Sequence, residues 1–85
     1  MPYFIYILQS LVDGTYYIGS TQDLEARLER HNEGRSKYTK PKRPWKMIYY
    51  EEYDRRSNAA RREKEIKTRK SRKLIEDLVK TSRQV

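Results

Sequence analysis

Tyr16-Tyr17-Ile18-Gly19-Ser20-Thr21-Gln22-Asp23-Leu24-Glu25-Ala26-Arg27-Leu28-Glu29-Arg30-His31-Asn32 is the stretch whose reading decides the fold. Two tyrosines and an isoleucine favour a short strand, Gly19 permits a sharp exit from it, and Thr21 is placed to cap a following helix. At 100° per residue, Leu24, Arg27, Leu28 and His31 share an arc of about 100°, while Glu25, Ala26, Glu29 and Glu33 lie outside it. The face expected to meet the core thus carries an arginine and the chain's only histidine. That placement needs a reason.

Working outward, residues 3–9 read as a strand whose aromatic and β-branched side chains occupy both parities, as in a central strand covered on both faces. Val12-Asp13-Gly14-Thr15 is a turn signal, so residues 16–19 pair back as a hairpin. The helix is expected over residues 22–33, with Gly34 as its C-terminal stop. Residues 35–44 are basic and broken twice by proline, as in an exposed loop, and residues 45–53 return to strand character. Ser57 or Asp54 can cap a second helix reaching residue 69, packed through Ala59, Ala60, Ile66 and the Lys67 stem. Ser71 marks a break and a fresh cap, after which Leu74, Ile75, Leu78 and Val79 form the stripe of a last helix. The order is β-β-α-β-α-α: an α+β fold with a three-stranded antiparallel sheet and helices packed on it.

Eighty-five residues allow one domain over 1–85 with a small core. Without cysteine, neither a disulfide nor a thiolate metal site can staple it, which fits an intracellular, reducing compartment. The first residues lack a basic leader region and their apolar run is too short for a signal or membrane segment, so a soluble cytoplasmic protein is expected. The net charge of +8 is unevenly spread. Residues 1–34 hold two Lys/Arg against five Asp/Glu, giving −3; residues 35–85 hold eighteen against seven, giving +11. A basic segment suits a polyanion such as nucleic acid, through phosphate neutralisation and counterion release. It also suits plain solubility, but eight tyrosines add stacking faces and hydroxyls and favour binding.

No Gly-rich phosphate loop, Cys/His zinc cluster or Ser-His-Asp set is present. Tyr6, Tyr17, Arg27, His31 and a carboxylate on the second helix remain. Arg27 and His31, at i and i+4, project from one patch, and the hairpin can bring both tyrosine hydroxyls near the start of the helix. Such a cluster suits phosphodiester hydrolysis, which needs a proton acceptor for water, positive charge for the phosphorane, and a metal for the leaving oxygen. On the basic loop Tyr38, Thr39, Lys40, Lys42 and Arg43 are candidate phosphate contacts, with Lys67 from the second helix.

At this point the chain resembles the GIY-YIG nuclease family in its small, standalone form. Tyr17-Ile18-Gly19 is the second half-motif, and Phe4-Ile5-Tyr6 stands at the first, with ten residues between the two triplets and phenylalanine in place of glycine. Arg27, His31-Asn32, Thr39, Pro44-Trp45 and Arg62-Glu63-Lys64-Glu65-Ile66-Lys67 follow in the family's order, covering nearly the whole chain. The resemblance implies a metal-dependent DNA endonuclease, structure-selective and tied to DNA repair or recombination, with one divalent ion, Mg²⁺ or Mn²⁺. It casts Tyr6 as general base or water-orienting group and Tyr17 as a second hydroxyl on nucleophile or phosphate. Arg27 then stabilises the phosphorane, His31 assists proton transfer and Glu63 binds the metal. The asparagine that some members carry after the acidic helix has no counterpart, since Asn58 precedes Glu63.

A free tyrosine is only about 0.1% ionised at neutral pH, so a tyrosine base needs a nearby cation, a metal-bound water or a histidine to take its proton. Each candidate also has a structural reading: Tyr6 and Tyr17 as core tyrosines, His31 as a capping or core histidine, Arg27 paired with Glu63, and Trp45 as core. At the level of function the alternatives are a DNA-binding module with this fold and little turnover, or a nuclease subunit whose specificity comes from a protein partner. The expected substrates are branched or flap DNA, and no membrane is involved.

Overall fold

A computed structural model describes residues 2–69 and 71–81. Strand β1 (Tyr3–Ser10) is followed by β2 (Tyr16–Thr21), helix α1 (Leu24–Asn32), a single 3₁₀ turn at Lys40–Lys42, strand β3 (Trp45–Tyr53), and helices α2 (Arg56–Arg69) and α3 (Arg72–Thr81). The three strands are antiparallel in the order β2-β1-β3, which makes β1 central as its two-sided apolar pattern required.

The two parities of β1 feed two cores. Ile5 and Ile7 pack with Ile48, Tyr49, Ala59, Ile66 and Ile75 beneath α2 and α3. Tyr6 and Leu8 pack with Trp45 on the other face, against Leu24 and Leu28 of α1. In the β1–β3 pairing, Ile7 faces Tyr49 but Leu8 faces Met47, so Ile48 is an extra residue in β3. The bulge turns Ile48 and Tyr49 into the same core, while Met47 and Tyr50 serve the other.

The hairpin turn is built on Ser10, which is buried and whose hydroxyl accepts from the backbone N–H groups of Val12 and Asp13 at 3.0 and 3.3 Å. Gly14 supplies the positive φ of the turn. At the start of α1 the cap is Asp23 and not Thr21. The Asp23 carboxylate accepts from Ala26 N at 3.1 Å, while the Thr21 hydroxyl accepts from Asp23 N one step earlier. The helix consequently begins at Leu24, two residues later than the pattern suggested. At its other end Gly34 takes a positive φ; its N–H reaches His31 O and that of Arg35 reaches Arg30 O, a Schellman closure.

Further expectations need correction. Gly19 lies inside β2, directly opposite Tyr6, and serves no turn. Its missing side chain makes room for the Tyr6 ring. Neither Ser57 nor Asp54 caps α2: the first helical N–H bonds, from Asn58 and Ala59, go to the Arg55 carbonyl. The buried stripe of α2 is also narrower than expected. Ala59 and Ile66 are buried, whereas Ala60 and Lys67 are exposed. Ser71 does act as a fresh cap, accepting from Leu74 N at 3.1 Å. Finally, the loop between α1 and β3 is exposed or half-buried except at Thr39, which is completely buried.

A polar clamp fixes α2 to the sheet. Glu51 of β3 accepts from Arg62 Nε and a second guanidinium nitrogen at 2.9 and 3.1 Å, and from the hydroxyls of Tyr49 and Tyr53. Burial works against the Glu51 charge, but hydrogen bonds from Arg62, Tyr49 and Tyr53 outweigh it and hold the carboxyl below its usual range. Burial and the bond to Glu51 push each tyrosine up to about 12.

Gly19→Ala tests the packing of Tyr6 directly. The new Cβ would lie 2.5 Å from the Tyr6 hydroxyl and 2.7 Å from Cζ, and Tyr6, at 1% exposure, has nowhere to go. Denaturant unfolding should show a loss of about 1–3 kcal/mol. A wild-type midpoint would mean that the ring can relocate freely.

Candidate active site

Each side chain of the site is delivered by a different element. Tyr6 comes from the central strand, Tyr17 from the edge strand, Arg27 and His31 from α1, and Glu63 from α2. Gly19 lets the Tyr6 phenol pass across β2, and its hydroxyl ends 3.0 Å from His31 Nε2. The second ring nitrogen, Nδ1, sits 2.8 Å from Thr39 Oγ1. The backbone of Thr39 is fixed in turn by the Trp45 indole, which donates to its carbonyl at 2.9 Å. Asn32, next to His31, grips the Trp45 backbone twice: its Oδ1 accepts from Trp45 N at 2.6 Å and its Nδ2 donates to Trp45 O at 3.1 Å.

Tyr17 closes over this chain, its ring edge-on to His31 with centroids 4.9 Å apart, and Tyr38 lies 5.9 Å beyond it. Arg27, Arg30 and Arg35 join Tyr17 and His31 around a cavity of about 220 Å³. Three arginines around so small a space, one of them Arg35 with its Nε paired to Glu33 at 2.9 Å, suit a phosphate. A larger cleft of about 650 Å³ opens on the other side of Tyr17, between Tyr16, Tyr38, Lys67 and Arg72.

The electrostatics of the pair oppose each other. Burial raises the Tyr6 phenol well above its ordinary value, aided by Tyr17 and Glu63 and resisted by Arg27. His31 is lowered, first by burial and then by the charges of Arg27 and Arg30. A neutral imidazole beside a protonated phenol is therefore the resting state. One tautomer suits proton acceptance: Nδ1–H donates to Thr39 Oγ1, and Nε2 accepts from the Tyr6 hydroxyl.

Tyr6, Tyr17, Arg27 and His31 are thus brought together, with Glu63 near enough for its charge to act on Tyr6. The Glu63 carboxylate does not pair with Arg27; it accepts from Lys67 Nζ at 2.6 Å. The proposed phosphate contacts divide. Tyr38 and Lys40 are exposed, Tyr38 against Tyr17. Thr39 is no surface contact, because its side chain is sealed behind His31. Lys42 is half-buried at the hairpin turn, bonded to Thr15 Oγ1 and paired with Asp13 at 3.4 Å, and Arg43 is exposed beside Gly34. The sequence reading missed Arg30, Arg35 and Arg72, which line the two cavities. It also missed Thr39 as the histidine's partner. Arg30 directly precedes His31, and that adjacency was the one available signal.

Among the described residues no group of three or more His, Cys, Asp or Glu side chains converges as a metal cage. A single carboxylate nonetheless fits a hard cation such as Mg²⁺, which keeps several waters and is held by one or two carboxylates with substrate phosphates. Among the described residues no helix is long and apolar enough to cross a membrane.

A three-stranded sheet whose central and edge strands place two tyrosines against an Arg/His helix defines one class of domain. The model of the GIY-YIG catalytic domain matches residues 2–76, and the chain belongs to that family. Within it the chain is similar to "UPF0213 protein" sequences of Staphylococcus aureus, among them strains Mu3 and N315, at 46% identity over 67 residues covering 78% of this chain and 80% of theirs. It is also similar to the solution NMR structure of the UPF0213 protein BH0048 from Bacillus halodurans, with a TM-score of 0.59 and 33% identity. That match covers 94% of this chain and 84% of the other.

The single histidine gives a clean test of the relay. NMR titration of His31 should give a pKa below the 6.5 of a free imidazole. Because the folded value is the lower one, the unfolded chain binds the extra proton first. Stability should accordingly hold above pH 6.5 and fall as the pH drops toward the folded pKa. A pKa above 6.5 would overturn the depression by burial and arginine charge, and one well above neutrality would mean that His31 rests charged at neutral pH and cannot accept from Tyr6.

Proposed function

We propose that this protein is a divalent-metal-dependent DNA endonuclease, structure-selective and serving DNA repair or recombination. The observation that carries the reading is the buried Tyr6–His31–Thr39 chain beside three arginines. A tyrosine raised above its ordinary pKa is a poor base on its own. Hydrogen-bonded to a neutral imidazole, it can take a proton from water while passing its own to Nε2. As the water oxygen bonds to phosphorus, the ester P–O bond breaks. Arg27 faces the charge that develops on the phosphoryl oxygens, and Arg30 and Arg35 hold the phosphate in register. Tyr17 packs on His31 and keeps bulk water from the relay. A divalent ion held by Glu63 would supply positive charge for the leaving oxygen.

The pairing of Glu63 with Lys67 supports a second reading, in which the carboxylate is already satisfied and the domain binds nucleic acid without cutting it. One experiment separates the two. Single-stranded, duplex, flap and branched DNAs are offered with Mg²⁺ or Mn²⁺ to the wild type, Glu63→Gln and Glu65→Gln. The nuclease reading expects wild-type cleavage, abolished in Glu63→Gln with DNA binding retained. Glu65→Gln should be nearly silent, because Glu65 is exposed and pairs with Arg62, which Glu51 still holds. Binding without metal-dependent cleavage of any substrate would favour the second reading.

Arg27→Ala should reduce cleavage by about 10²-fold or more with a smaller change in DNA affinity, since its charge matters most in the transition state. Lysine should rescue in part, lacking the forked guanidinium geometry. Equal losses in binding and turnover would mark Arg27 as an ordinary phosphate contact.

A further inference from the structure

Glu63 and Lys67 lie one turn apart on α2, and at first sight form an ordinary helical ion pair. Two observations set the pair apart. Its members differ in depth: the Glu63 side chain is 20% exposed and that of Lys67 is 51% exposed. The carboxylate also faces inward, near enough to Tyr6 for its charge to be felt there. Lysine, by contrast, stands at the mouth of the 650 Å³ cleft with Tyr17, Tyr38 and Arg72. Its flexible four-carbon stem therefore has two uses for one charge: against Glu63, or in the cleft.

A partly sunk carboxylate is costly unless a cation compensates it, and here Lys67 Nζ does so at 2.6 Å from Oε2. We propose that Lys67 is a resident counter-ion of Glu63, displaced when a divalent cation takes the carboxylate, and that its freed ammonium then turns into the cleft to hold a DNA backbone phosphate. This rests on the reading of Glu63 as the metal-binding carboxylate. The two cations cannot share the face of the carboxylate that Lys67 now occupies, so each binds at the other's expense. A phosphate in the cleft draws Lys67 away from Glu63 and so favours the metal. By linkage, the metal favours the phosphate to the same degree. Lys67 would thus couple metal loading to DNA docking through one swing of an exposed side chain.

The test begins without DNA. Mn²⁺ is titrated calorimetrically into the wild type, Lys67→Met and Glu63→Gln; methionine keeps the helix propensity and the stem. Removing a half-exposed competitor should tighten Mn²⁺ binding about two- to five-fold in Lys67→Met, the range expected for a partly exposed ion pair. Glu63→Gln should lose the binding. Unchanged or weaker Mn²⁺ binding in Lys67→Met, with binding lost in Glu63→Gln, overturns the displacement and leaves the reading of Glu63 intact. Undiminished binding in Glu63→Gln overturns both.

A second arm follows DNA binding in an Arg27→Ala background, in which cleavage is slowed about 10²-fold or more and binding is read before the DNA is cut. With Mn²⁺ present, Lys67→Met should bind more weakly, with a salt slope shallower by about one phosphate contact. In EDTA the difference should vanish, because Lys67 is then engaged on Glu63. An equal difference with and without Mn²⁺ would make Lys67 a constant phosphate contact and overturn the swing.

Discussion

The structure depends on burying the Tyr6 hydroxyl. A phenol at 1% exposure must find a partner, since an unmet buried polar group costs about 1–3 kcal/mol. His31 Nε2 is that partner, and satisfying the imidazole then requires Thr39, which requires Trp45, whose backbone is held by Asn32. The circuit runs from the central strand through α1 and its following loop into β3 and back to α1. Among the described residues no buried side-chain nitrogen or oxygen is left without a partner. Moving α1 by one turn would strand several of these groups at once, and slipping β2 by one residue would put Ile18 or Ser20 where Gly19 makes room for the Tyr6 ring. The same bonds that close the core of Tyr6, Leu8 and Trp45 therefore set the geometry of the site.

Features resting on local periodicity were legible in the sequence, and features resting on distant partners were not. The two-sided character of β1, the β3 span of Trp45–Tyr53 and the stop at Gly34 each follow from a few neighbouring residues. The co-facing of Arg27 and His31 follows from helical spacing; their meeting with Tyr6 and Tyr17 was implied by the family resemblance, because the order of elements leaves the hairpin register open. Gly19 misled because glycine in a strand ordinarily signals a bend. Here it answers a ring reaching across from the neighbouring strand, visible only once the Tyr6–Gly19 register is known. Thr39 misled because a basic, proline-broken segment reads as surface, and nothing within the segment announces a histidine eight residues back. Asp23 and Thr21 are both good caps, and the choice between them fell to the carboxylate that reaches Ala26.

The charge asymmetry acquires a spatial meaning in α2. With Ala59 as origin and 100° per residue, Ile66 falls at about 340°, Arg62 at about 300° and Glu63 at about 40°. Two consecutive residues thus straddle the buried stripe. Arg62 reaches toward β3, where Glu51 and two tyrosine hydroxyls receive it, and Glu63 lies on the flank toward β2 and the site. The Glu51–Arg62 clamp is a poor source of net stability, because burying the charges costs roughly what their attraction returns. Its consequence is orientation: with Arg62 held on one side of the stripe, Glu63 has a single place to point. The cations around the site are drawn from both halves of the chain, Arg27 and Arg30 from the acidic half and Arg35, Lys67 and Arg72 from the basic one.

Burial gives Tyr6 and His31 opposite tendencies, and the pair depends on that opposition. Desolvation alone disfavours the charged form of each, raising the phenol and lowering the imidazole. Transfer of the proton from Tyr6 to His31 in the resting site would create two charges in a place that penalises both, so the phenol keeps its proton. A phosphate among Arg27, Arg30 and Arg35 changes the balance. Its negative charge would offset the arginines that depress the imidazole, and on the proposed nuclease reading His31 would become a better acceptor when substrate binds. On the proposed nuclease reading, a water reaching the Tyr6 oxygen would lose its proton to the phenol as the phenol loses its own to Nε2, and no free tyrosinate would form. On that reading a core tyrosine with a satisfied hydroxyl and a proton-transferring tyrosine would be the same residue in two states of the site, with the arginines making the difference between them.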